Sequence, residues 1–177
     1  MNVSVEELDR MPAARAAELL SSCCGASRWV ERMVARRPFG SLGALRTAAD
    51  EIWRSLEPRD WREAFSHHPR IGERVGAIPQ GERGSSWSAK EQSGVDDAAA
   101  EVRRALTQAN REYEQRFGYV YIVFATGKTA EELLDICRRR LMNEPNDEIA
   151  VAAEEQRKIM QLRLARLTEG MEGETRA

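Results

Sequence analysis

The chain has 177 residues, 42% apolar and 32% charged, with a formal net charge of −2 at pH 7. That length builds a real hydrophobic core within one domain, so a single domain over residues 1–177 is expected. The near-neutral charge excludes a global basic footprint for nucleic acid, and no apolar run approaches membrane-spanning length.

Helical spacing dominates from the start. Ser4 with Glu7 forms a capping-box pattern for a first short helix. Pro12 opens a second, apolar through Ala16, Leu19 and Leu20. A third runs from about Ser27 to Arg37, where Pro38 ends it. Ser41 caps a fourth that carries Leu45, Ala48, Ile52 and Leu56. Pro58 precedes a short fifth with Trp61 and Phe65, and Pro69 should stop it, because the residue before proline is pushed out of the α region. Residues 72–87 hold four glycines and a proline and are expected to form a loop, long enough to suspect function.

A long helix follows through Val95, Val102, Leu106, Ala109 and Tyr113, ending near Phe117-Gly118. Tyr119 to Ala125 is aromatic and β-branched, as a buried strand would be. It has no partner strand, so an extended or irregular segment inside an α protein is expected. Thr129 with Glu132 caps another helix to about Met142. Asn146 is expected to cap the last, to about Leu167, with a frayed tail over 169–177. The fold class is therefore all-α, a compact single-domain protein of about eight to ten helices.

The two histidines, His67 and His68, are adjacent. Imidazole is the side chain best suited to move protons near neutral pH, so acid–base chemistry has few places to live. On a helical wheel at about 100° per residue, Trp61, Phe65 and His68 share a stripe and His67 falls off it. A satisfied core histidine is the plain alternative for His68; the loop after it makes a site equally credible. Glu91 lies on the stripe of Val95, Ala98 and Val102, but Ser88-x-x-Glu91 is also a capping box, which the residues alone favour. Gln156 and Arg163 fall within the apolar stripe of the last helix. A guanidinium there needs an acidic partner, which could be internal, across a dimer or on a substrate; snorkelling along a helix edge is the bland alternative. Arg138, Arg139 and Arg140 are expected to form a solvated face at a helix C-terminus.

HExxH, CxxC, Walker A and GxSxG patterns are absent, and two adjacent histidines cannot supply a zinc site unaided. An odd count of three cysteines, two of them adjacent, makes a poor disulfide framework and points to a reducing compartment. The first ten residues lack a signal-peptide core and Thr175-Arg176-Ala177 is not a peroxisomal address, so a cytoplasmic location is expected.

The order HPRIG, then SxxEQ, then NREYEQRFGYVYIVFATGKT, RRRLMNEPNDE and EEQRKIMQLRLARL resembles the OHCU decarboxylase family, which acts on 2-oxo-4-hydroxy-4-carboxy-5-ureidoimidazoline (OHCU) in urate breakdown. Each motif is weak alone; their order over roughly residues 5 to 168 is specific, and Ala125 to Lys128 looks like the bacterial branch. The resemblance implies an all-α homodimeric carboxy-lyase with no metal and no organic cofactor, giving S-allantoin. It implies His68 as the proton donor, with Glu91 beside it in catalysis and Pro69 lining the pocket. It implies substrate contacts from Ser88, Gln92 and the backbone of Tyr121, Ile122, Val123, Phe124 and Ala125, with Arg163 as the substrate-binding arginine. Two rivals stand beside it: a non-enzymatic helical interaction module, and an acid–base enzyme on a related cyclic ureide. Nucleic-acid binding through 138–140 is a remote third, because no basic face supports it.

Overall fold

The Ser4 hydroxyl accepts from the Glu7 amide and the Glu7 carboxylate accepts from the Ser4 amide, so the first helix, α1 (Val5–Arg10), begins on the capping box that its sequence encodes. In this computed structural model the described residues are 3–71 and 89–168, with the backbone alone described over 89–98. They form eight helices and, among the described residues, no strand: after α1 come α2 (Ala13–Cys23), α3 (Ser27–Arg36), α4 (Leu42–Arg54), α5 (Pro58–Ser66), α6 (Ala89–Phe117), α7 (Ala130–Arg140) and α8 (Pro145–Thr168). The fold is all-α.

Prolines and short polar caps set most of the boundaries. Ser41 accepts from the Ala44 amide at α4. Glu57 and Asp60 form a capping box around Pro58, the first residue of α5. That helix stops at Ser66, short of Pro69. One boundary differs from expectation. Asn146 does not cap α8; it lies inside the first turn, because Pro145 takes the opening position and the Glu144 carbonyl accepts from Asp147 and Glu148. A proline has no N–H to satisfy and its fixed φ suits that place.

The chain divides into two compact units, Met1–His67 with Ala153–Ala177, and His68–Ala152. In the first, α3 packs on α2, α4 and α5. Leu8, Leu20, Trp29, Met33, Leu45, Phe65, Met160 and Leu164 are buried there. Each such side chain contributes about 1.5–3 kcal/mol on leaving water. The buried indoles keep their N–H groups satisfied: Trp29 donates to the Ala49 carbonyl at 3.1 Å and Trp53 to the Ala153 carbonyl at 3.0 Å. The second of these ties α4 to α8. So does Arg157, which meets Asp50 at 2.9 Å and Glu154 at 2.8 Å.

In the second unit α6 packs on α7. Its core is aromatic. Tyr113 sits 4.6 Å from Phe117, 5.9 Å from Tyr119 and 5.2 Å from Tyr121, centroid to centroid. Residues 119–125 connect α6 to α7 with no regular structure, as their lack of a partner strand implies. Gly118 turns the chain out of α6 at φ 77°, a left-handed conformation that favours glycine.

Candidate active site

α5 leads into the histidine pair. His67 follows its last turn and is exposed, while His68 is half-buried, in the sense that the helical stripe implies. The His67 ring lies against Gly25, where an added Cβ would come within 2.6 Å of its Cγ and Cδ2. Pro69 and Arg70 are exposed, and α6 anchors the chain beyond His68. Arg70 makes a bidentate bridge to Glu114 at 2.8 and 3.0 Å, and this holds the Glu114 carboxyl below the usual carboxylate range. Asn110, buried on the same helix, donates to the Ile71 carbonyl at 2.5 Å.

Ser88 lies outside the described residues. Glu91 and Gln92 fall within the first turn of α6, and only their backbone is described. Their placement near a helix N-terminus is the setting in which amide groups attract anions.

Tyr121, Ile122 and Val123 are buried, and Phe124 and Ala125 are half-buried. This stretch is held by its carbonyls. Ile122 accepts from Arg140 Nη1 at 2.6 Å, Phe124 from Lys128 Nζ at 2.7 Å and Ala125 from the Lys128 amide at 3.1 Å. The Tyr121 hydroxyl donates to the Leu133 carbonyl at 3.2 Å.

The residue behind Ile122 is one that the sequence misplaces. Arg138 and Arg139 are exposed, but Arg140 is 6% exposed and faces the interior. Glu148, 0% exposed, meets it at 2.6 Å. The Tyr113 hydroxyl donates to the same Glu148 oxygen, Asn143 donates to the other at 2.6 Å, and Arg140 Nη2 reaches the Tyr113 oxygen at 3.1 Å. The Arg140 guanidinium also lies over the Tyr113 and Tyr121 rings, 5.5 and 5.1 Å from their centroids. Burial alone would lower the Arg140 pKa; Tyr113 and Glu148 outweigh it and hold the group above its ordinary value. Burial raises the Tyr113 phenol, and Glu148 raises it further. A signal was present in the sequence: Leu133, Cys137 and Arg140 recur at helical spacing, so Arg140 continues an apolar stripe.

Arg163 belongs to the other unit and is half-buried. Its Nη1 faces the Ser22 and Cys23 carbonyls at the C-terminus of α2, at 3.4 and 3.5 Å. None of the ion pairs among the described residues involves it, so the acidic partner that its stripe position calls for is not internal to them. A shallow groove along α7, lined by Lys128, Glu132, Asp135, Ile136 and Arg139, contains none of the expected site residues.

A profile of the OHCU decarboxylase family matches residues 9–165. The chain belongs to the OHCU decarboxylase family. The match runs through both units. A uric acid degradation bifunctional protein TTL of Arabidopsis thaliana is 32% identical over 145 residues, 82% of this chain and 45% of that protein. The chain thus spans less than half the length of that bifunctional relative. The 2-oxo-4-hydroxy-4-carboxy-5-ureidoimidazoline decarboxylase of Amia calva is 31% identical over 131 residues, 72% of this chain and 73% of that one. Among solved structures, an OHCU decarboxylase crystallised in the presence of (S)-allantoin superposes with a TM-score of 0.69 at 30% identity, covering 86% of this chain and 98% of the other. Family membership accounts for the all-α architecture that the helical spacing implies.

Proposed function

We propose that this chain is a carboxy-lyase that converts OHCU to S-allantoin in uric acid degradation, working as one domain over residues 1–177. The observation that carries this reading is the family match over residues 9–165. The chemistry asks little of a protein beyond geometry. OHCU carries a hydroxyl and a carboxylate on one ring carbon, beside a C=N bond. When the bond to the carboxylate breaks and CO2 leaves, the electron pair delocalises into that C=N, and a proton completes the product. The substrate supplies its own electron sink. The protein supplies orientation, placed charge and one stereospecific proton.

His68 exchanges a proton with the ring hydroxyl or the developing centre, and Glu91 orients His68 or the substrate. Ser88 and Gln92 hydrogen-bond the ureido or ring carbonyl groups, Pro69 lines the pocket, and the backbone of Tyr121 to Ala125 meets the ring. Arg163 holds a carbonyl or the carboxylate early in the reaction; its guanidinium has only two long carbonyl contacts among the described residues, which leaves donors for a substrate oxygen. The homodimer is carried over from the family, and the cytoplasmic location rests on the odd, partly adjacent set of cysteines; light scattering at a mass twice that of the chain checks the dimer. No helix among the described residues is long and apolar enough to cross a membrane.

The test is circular dichroism of allantoin formed from freshly generated OHCU, which decays unaided to the racemate. A fast rise of the S signal is expected. His68→Asn lowers the rate by roughly 10²-fold, as expected for loss of a general acid–base group, while His67→Asn changes little. A racemic trace at the background rate would overturn the reading.

A further inference from the structure

Three residues of α6, Asn110, Tyr113 and Glu114, stand at i, i+3 and i+4 and so share one face of the helix. Between them they hold two pieces of chain. Asn110 takes the Ile71 carbonyl at 2.5 Å. Glu114 takes the Arg70 guanidinium by two bonds at 2.8 and 3.0 Å. Both therefore fix the backbone directly after His68-Pro69. Tyr113, between them, donates to Glu148 and receives Arg140 Nη2 at 3.1 Å, and Arg140 in turn donates to the Ile122 carbonyl at 2.6 Å. This second chain of bonds fixes the middle of the Tyr121–Ala125 stretch.

All of these groups lie in the His68–Ala152 unit. Asn110, Tyr113, Arg140 and Glu148 are buried, at 4%, 0%, 6% and 0% exposure. A buried ion pair is weak evidence for stability, since an apolar replacement often does as well. Its directional bonds do specify where a backbone carbonyl must sit. We propose that this face of α6, with Arg140 and Glu148, is a positioning device that sets the His68 segment and the Ile122 segment in one register. The proposal rests on the decarboxylase reading above, because it is that reading which gives both segments to one substrate. None of these residues need touch the reacting atoms.

A device of this kind fails in two separable ways. Losing the Glu114 arm misplaces the proton donor and slows the step after binding. Losing the Tyr113 arm lets the ring-binding backbone relax and weakens binding. The variants are Glu114→Gln, at a half-exposed pair that the fold tolerates, and Tyr113→Phe, which keeps the ring and removes the hydroxyl. Steady-state kinetics on OHCU should show kcat down roughly 10-fold with KM little changed for Glu114→Gln, and KM up by a similar factor with kcat little changed for Tyr113→Phe. Arg70→Gln combined with Glu114→Gln should be no worse than either alone, since both cut the same link. Folded variants with wild-type kcat and KM would overturn the proposal, as would equal losses in both parameters at both positions.

Amide hydrogen exchange separates this outcome from failure of the decarboxylase reading. If the wild type does not accelerate OHCU decay, that reading falls, and exchange still decides the positioning role. Faster exchange confined to 119–125 in Tyr113→Phe, and to 68–71 in Glu114→Gln, supports it. Unchanged or uniformly raised exchange overturns it, and Arg140→Lys provides the same comparison if Tyr113→Phe does not fold.

Discussion

Gly25 leaves the space that the His67 ring fills. A methyl group there would approach His67 Cγ and Cδ2 to 2.6 Å and Cβ to 2.9 Å, and Cβ cannot swing away as a side-chain tip can. Gly25→Ala is therefore expected to destabilise the protein by about 1–3 kcal/mol, as overpacking does. Urea unfolding measures the loss. Adding His67→Ala should restore part of it by removing the ring atoms at 2.6 Å, while the retained Cβ at 2.9 Å keeps the rest; an additive double variant would show that the contact is not the cause. Glu148→Gln tests a different mechanism. It leaves Arg140 as an uncompensated buried cation, at a cost of about 3–5 kcal/mol in the same assay. At this scale the sequence was partly legible. Trp61, Phe65 and His68 share a stripe on the helical wheel, and His68 is the more buried of the two histidines although α5 itself stops at Ser66. Arg140 is hidden by its neighbours: three arginines in a row at a helix end resemble a solvated face, yet only Arg138 and Arg139 are exposed. Glu148 is hidden with it, since a carboxylate in the first turn of a helix has an ordinary reason to be there.

Elements were more legible than their ends. Apolar periodicity and prolines gave the helices, because both act locally. The aromatic run 119–125 shows what locality misses. Its composition favours a strand, but a strand needs a neighbour to take its amides and carbonyls. Here side chains and the following turn take carbonyls instead: Arg140 at Ile122, Lys128 at Phe124. The long-range partner could not be seen in the sequence; the missing second strand could. The next element depends on its own cap. The Thr129 hydroxyl accepts from the Glu132 amide at 3.2 Å, and Glu132 returns the bond to the Thr129 amide at 2.8 Å. Thr129→Ala should cost about 1 kcal/mol of stability, and Thr129→Ser should recover most of it. A urea midpoint that does not move in Thr129→Ala would mean that packing against α6, rather than the cap, fixes the start of α7.

For the whole molecule, the cysteines convert burial into a pH dependence. Cys23, Cys24 and Cys137 are free and buried, which fits the odd count and the adjacent pair that argued against a disulfide framework. Burial pushes the Cys23 thiol from an ordinary 9.0 up to about 11, although Ser22 and Arg163 oppose it. Burial likewise lifts Cys24 and Cys137 to about 12. Below pH 9 the thiols are protonated in both the folded and the unfolded chain, and their contribution to stability is fully present. As pH rises above 9 the unfolded chain ionises its thiols while the fold keeps them protonated, so the unfolded state binds fewer protons and stability falls. The fall continues until the folded values near 11 and 12 are reached. Each thiol contributes a slope of up to about 1.4 kcal/mol per pH unit. Unfolding free energy in urea should thus decline from pH 9 upward. Cys24→Ala with Cys137→Ala should flatten that decline even if it lowers stability at neutral pH. An unchanged slope in the double variant would assign the alkaline loss to other groups, the buried Tyr113 phenol first among them, since its folded pKa is raised in the same direction.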